Sequence, residues 1–80
     1  MIMIDIFVPA LYKAFDFEVD EKTTPEVVIG KVTQIIERYL GTGYEREPIA
    51  LFSYRKGELI NNHTALASQG ILNGDRLILI

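Results

Sequence analysis

The order of periodic segments in this chain predicts an α+β domain, a mixed sheet of four or five strands with one helix packed across one face. Three observations carry that expectation. Residues alternate over 2–8 and again over 15–20, the period of two that marks a half-buried strand. One stretch after Thr23-Thr24-Pro25 repeats its apolar residues at helical spacing. From Pro48 onward, short apolar segments are again separated by turn residues.

The first segment places Ile2, Ile4, Ile6 and Val8 on one parity and Met3, Asp5 and Phe7 on the other, and Pro9 ends it. After a turn near Leu11, Tyr12 and Lys13, the next run turns Phe15, Phe17 and Val19 inward and Asp16, Glu18 and Asp20 outward, as the second arm of a hairpin. Those three carboxylates read as a solvated strand face that discourages edge pairing, in preference to a metal site. Thr23-Thr24-Pro25-Glu26 then starts a helix in one of two ways. A Thr24 cap puts Pro25 at the first helical position, whereas a Thr23 cap makes Glu26 the partner of a capping box. The helix carries a stripe of Val28, Val32, Ile35 and Tyr39, flanked by Ile29, Ile36 and Leu40, and Gly41 or Gly43 stops it. Gly30 in its interior costs about 1 kcal/mol relative to Ala, so a close approach of helix to strand is expected there.

The second half reads as another hairpin: Ile49 to Tyr54, a turn at Arg55-Lys56-Gly57, and a brief Glu58-Leu59-Ile60. Turn residues Asn61-Asn62-His63 follow, then a core anchor at Leu66 in a short helical turn, Gly70 before Ile71, and a further turn at Asn73-Gly74. The closing strand, 75–80, sets Leu77 and Leu79 on one parity and Arg76, Ile78 and Ile80 on the other. A helix laid across two such hairpins puts this last strand in the middle, parallel to the first. The expected core is Ile4, Ile6, Phe15, Phe17, Val28, Val32, Ile35, Leu66, Ile71, Leu77 and Leu79.

Eighty residues make a single domain spanning 1–80, one that buries only about 60% of its unfolded surface. With no Cys, the apolar 49% of the chain must carry the core without disulfide help. A net charge of -3 argues against a nucleic-acid partner. The start of the chain lacks a basic leader and a cleavage site, and no apolar run approaches the roughly 18 residues of a membrane span. A cytoplasmic chain without membrane insertion is therefore expected.

Chemistry is scarce. A Cys nucleophile is impossible, and the one histidine, His63, sits among turn residues, where a pairing with Ser53 or Ser68 lacks an oxyanion loop. The carboxylates alternate along strands and do not converge on a metal, and Gly41-Thr42-Gly43 lacks the lysine and spacing of a phosphate loop. No catalytic residue, cofactor or metal is expected.

The hairpin, the Thr-capped helix, the Leu66 turn, Gly70-Ile71 and the terminal Leu77-Ile78-Leu79 resemble ubiquitin over the whole chain. Met3-Ile4-Asp5-Ile6 and Gly70-Ile71-Leu72-Asn73-Gly74-Asp75-Arg76-Leu77 resemble more closely the bacterial YukD/EsaB-like ubiquitin-like proteins, small accessory components of type VII secretion systems. The resemblance implies a ubiquitin-like β-grasp fold and a non-enzymatic role in binding other proteins. Ubiquitin-type modifiers and sulfur carriers react through a tail ending in Gly-Gly, whereas this sequence closes on Leu79-Ile80, so conjugation is not expected. A β-grasp carrier activated at its C-terminus is the competing reading.

If Leu77 and Leu79 face the core, Arg76, Ile78 and Ile80 face away from the helix on a central strand. Taking Phe52 and Tyr54 inward then sends Ile49, Leu51 and Ser53 to that same open face, beside Met3 and Phe7. The expected protein-binding surface is thus Ile49, Leu51, Ser53, Arg76, Ile78 and Ile80. The resemblance implies ubiquitin's docking face for Leu51, Ser53, Ile78 and Ile80, with Ser53 departing from an apolar position. A homodimer covering the same stripe, as a stand-alone domain of another pathway, is a further reading.

Overall fold

A computed structural model of the protein describes residues 1–41 and 50–80. The first strand, β1 (Ile2–Val8), turns Ile4, Ile6 and Val8 fully inward. Pro9 opens a single 3-10 turn, and Tyr12 closes it in the left-handed region at φ 53°, its N–H donating to the Pro9 carbonyl at 3.1 Å. The chain returns as β2 (Lys13–Val19), antiparallel, with Ile4 opposite Phe17 and Ile6 opposite Phe15. Because β2 is an edge strand, Phe15 and Phe17 point inward as expected but stay half-buried at the rim of the core.

The helix α1 (Pro25–Leu40) selects the Thr24 cap. Pro25 takes the first helical position, where its missing N–H costs nothing, and the Thr24 carbonyl accepts from the N–H groups of Val27 and Val28. Gly41 stops the helix at φ 71°, a conformation open to glycine, with its N–H donating to the Glu37 carbonyl at 2.9 Å. The buried face is Pro25, Val28, Ile29, Val32 and Ile36. Compared with expectation, the seam is rotated toward Ile36: Ile35 is half-buried and Tyr39 lies mostly exposed at the rim. The helix offers two overlapping apolar diagonals, and the edge ring of Phe15 meets Tyr39 edge-on, with centroids 5.6 Å apart, at the margin of the core. The close approach expected at Gly30 is absent, since a Cβ built there meets nothing within 4 Å.

Three short strands complete the sheet, β3 (Leu51–Ser53), β4 (Glu58–Leu59) and β5 (Arg76–Leu79), in the order β2-β1-β5-β3-β4. β5 lies in the middle, parallel to β1 and antiparallel to β3, as the two hairpins and the helical crossover require. Leu66 is fully buried. Its N–H donates to the Thr23 carbonyl at 2.9 Å, and the Ala67 N–H donates to the Glu21 carbonyl at 2.8 Å, tying the 61–70 loop to the start of the helix. The carboxamide of Gln69 holds that loop from within: it accepts from the Asn61 N–H and donates to the carbonyls of Asn61 and Thr64.

The expected orientation of β3 is reversed. Leu51 and Ser53 are fully buried under the helix, Phe52 faces the open side, and Tyr54 is exposed. Pairing sets this phase: Leu51 lies opposite Leu79 and Ser53 opposite Leu77, so all four share the covered face. A serine is tolerated there because it ends the strand. Its hydroxyl accepts from the Lys56 N–H at 3.2 Å and its carbonyl from the Gly57 N–H at 2.8 Å.

Candidate protein-docking face

The face of the sheet turned away from α1 is organised by strand register. Ala14 lies opposite Phe7, Phe7 opposite Ile78, Ile78 opposite Phe52, and Phe52 opposite Leu59. Side chains of paired residues point to the same side, so one apolar row crosses all five strands. Phe7, Ile78 and Phe52 are half-buried by their neighbours, and Leu59 at the edge is 59% exposed. Ile80 continues the apolar surface along β5, its N–H donating to the Ala50 carbonyl at 3.0 Å.

Of the residues expected on this surface, Arg76, Ile78 and Ile80 are there, Leu51 and Ser53 are in the core, and Ile49 lies outside the described residues. Phe52 and Leu59 are the members that sequence reasoning missed. A usable signal was present. A turn ending in Gly57 sets Ser53 opposite Glu58, which makes Phe52 and Leu59 a cross-strand pair.

A charged row lies beside the apolar one. Asp16 stands opposite Asp5, and Asp5 opposite Arg76. Arg76 donates from Nε and Nη2 to the same Asp5 oxygen, at 2.8 and 2.6 Å. Arg76 is thereby committed to its own sheet.

In the segment that carried the resemblance, Asn73, Gly74 and Asp75 each have a structural explanation. Asn73 Oδ1 accepts from the Met3 N–H at 2.8 Å, and the Gly74 N–H, at a glycine with φ 88°, donates to the Met3 carbonyl at 2.7 Å. Together they extend the β1–β5 pairing beyond its ladder. Asp75, only 7% exposed, accepts two bonds from the Arg55 guanidinium at 2.9 Å each and one from the Leu72 N–H at 2.9 Å. The Arg55 fork holds the Asp75 carboxyl below the usual carboxylate range against the opposing effect of burial, and the Leu72 N–H adds to it. Arg55 also donates to the Gly70 carbonyl, and Lys56 to the Gln69 carbonyl, so both basic residues brace this end of the sheet.

His63 is exposed, with Nδ1 3.2 Å from Glu26 Oε2, and the Ser53 hydroxyl is occupied by the turn. Among the described residues no group of three His, Cys, Asp or Glu side chains could hold a metal ion, and no helix is long and apolar enough to cross a membrane.

No known family model and no curated protein matches this sequence. Solved structures do. Ubiquitin of Caldiarchaeum subterraneum superposes with a TM-score of 0.77 at 22% identity, covering 99% of this chain and 90% of that one. The EccD5 ubiquitin-like domain from Mycobacterium xenopi has a TM-score of 0.64 at 20% identity, covering 99% and 91%. A chain of the MycP5-free ESX-5 inner membrane complex matches with a TM-score of 0.72 at 17% identity over 99% of this chain, which spans 20% of that one. The protein has a ubiquitin-like fold, with one helix on a five-stranded mixed sheet.

Proposed function

We propose that this chain is a non-enzymatic ubiquitin-like interaction module that docks other proteins through its open sheet face, as a cytoplasmic accessory component of a bacterial type VII secretion system. The registered apolar row Phe7–Ile78–Phe52–Leu59 carries this reading. Folding requires apolar residues on the covered side of the sheet; it does not require a continuous line of them on the other. The secretion link is supported by the YukD/EsaB-like segment from Gly70 to Leu77 and by likeness to the EccD5 domain and the ESX-5 complex chain. In this reading the module acts intact and is not conjugated; the Ile80 N–H is engaged with Ala50 in the sheet.

The test is co-purification. Ile78→Glu puts a charge in the middle of the row at a half-buried, outward-facing site. We expect this variant to keep its fold by circular dichroism and to lose about tenfold or more in recovery of the type VII secretion components that the parent chain co-purifies. Unchanged recovery with an intact fold overturns the docking reading. Incubation with activating enzymes and ATP is expected to leave the intact mass unaltered, and an adenylate or thiocarboxylate at Ile80 would establish the carrier reading instead.

A further inference from the structure

We infer that the occupant of the open face is an amphipathic helix of a partner protein, laid across the strands, with Lys or Arg along the flank of its apolar stripe. This rests on the docking reading and specifies the chemistry of the partner.

The direction of the row argues for a helix. Strands lie about 4.8 Å apart, so Phe7 to Leu59 spans three steps, about 14 Å. A helix rises about 1.5 Å per residue and presents neighbouring side chains at i, i+3, i+4 and i+7, so nine or ten residues cover that length. A strand added to an edge would run along β2 or β4, perpendicular to the row, and reach only its end.

Charge argues for the basic flank. Two residues along β2 and β1 from Ala14 and Phe7, about 7 Å away, stand Asp16 and Asp5, and beyond them Glu18 faces outward opposite Met3. Arg76 occupies Asp5, whereas Asp16 and Glu18 are exposed and make no ion pair among the described residues. The nearby cations are engaged elsewhere: the Met1 ammonium with Glu21, Arg55 with Asp75, Lys56 with Glu58 and the Gln69 carbonyl, and Lys13 over the Tyr39 ring on the helix side. The β2 edge of the row is therefore bordered by two carboxylates without an ion pair among the described residues, Asp16 and Glu18, the second of which the Met1 ammonium acts on only through space. Like charges opposite each other on paired strands oppose folding, so the Asp16–Asp5 juxtaposition destabilises the sheet. Recognition of a cationic flank gives it a use.

The probes are three synthetic peptides of about 14 residues with one shared apolar stripe and flanks of Lys, Glu or Gln, titrated into the full chain and followed by amide shifts at Phe7, Phe52 and Ile78. At low salt we expect the Lys peptide to bind about tenfold tighter than the Glu peptide, the gap closing at about 0.5 M salt. Asp16→Lys combined with Glu18→Lys should invert the preference, and the double variant is expected to fold because both sites are exposed. Asp16→Asn should weaken the Lys peptide about threefold while raising the melting temperature by about 1–4 °C. Equal binding of the Lys and Glu peptides through the row, lost in Ile78→Glu, overturns the basic flank and leaves the docking reading standing. If no peptide shifts the row, the helix inference fails, and the docking reading is then decided by co-purification alone.

Discussion

The two faces of the sheet are built from the same strands and obey different rules. On the covered face, Ile4, Ile6, Val8, Leu51, Leu77 and Leu79 meet the helix residues Val28, Val32 and Ile36, and every one is nearly inaccessible. On the open face the alternate positions run Phe7, Ile78, Phe52 and Leu59 through graded exposure, bordered by Asp5, Asp16 and Arg76. Burial drives the first face, and any apolar residue of suitable volume satisfies it. The second holds apolar residues in one registered line beside a row of charged residues, an arrangement that packing within the domain does not demand.

Adjacent residues of β3 offer the most severe way to break this comparison. Leu51→Asp buries a charge without a partner and is expected to cost more than about 4 kcal/mol, comparable to the whole stability of a core this small, about 3–5 kcal/mol. Phe52→Asp, one residue on, should cost about 1–2 kcal/mol and leave a folded protein that no longer docks. Urea denaturation of the pair checks it. Equal destabilisation would mean that the phase of β3 is wrong.

Asp75 tests the brace at the end of the sheet. Its folded-state pKa is depressed, so its contribution is fully present above the ordinary aspartate range near about 4 and is lost as pH falls through the lower folded value. Asp75→Asn should cost about 1–3 kcal/mol at neutral pH. The difference from the parent should shrink as pH falls below the ordinary aspartate range and through the lower folded value, a convergence that denaturation at several pH values would follow.

The smallest effect belongs to the outer side of the helix. With nothing within 4 Å of a Cβ at Gly30, Gly30→Ala should stabilise the domain by about 0.5–1 kcal/mol and leave docking untouched. A loss of stability there, seen in thermal melts, would reveal a packing contact on a side that the fold leaves bare.

Much of the fold was legible because local rules and global layout agree. The alternation of β1, Pro9 as its stop, Pro25 at the helix start, Gly41 at its end and the central parallel β5 all appear where the residues place them. Less of the site was legible. Ile78 and Ile80 follow from Leu77 and Leu79 being core, since strand parity allows nothing else. Phe52 and Leu59 did not follow, nor did the pairing of Arg76 with Asp5, which joins residues 71 positions apart.

The sequence by itself determined the order of strands and helix, and which parity of β1, β2 and β5 is buried, because those segments carry an unambiguous period. It could not determine the phase of Leu51-Phe52-Ser53-Tyr54, which offers a large apolar or aromatic residue on both parities and a serine on one. Only register against β5 decided that, placing Leu51 beside Leu79 and giving the Ser53 hydroxyl a turn N–H to satisfy it under the helix. Hydrophobicity can say that a strand has an inside, but when both sides qualify, the neighbouring strand chooses.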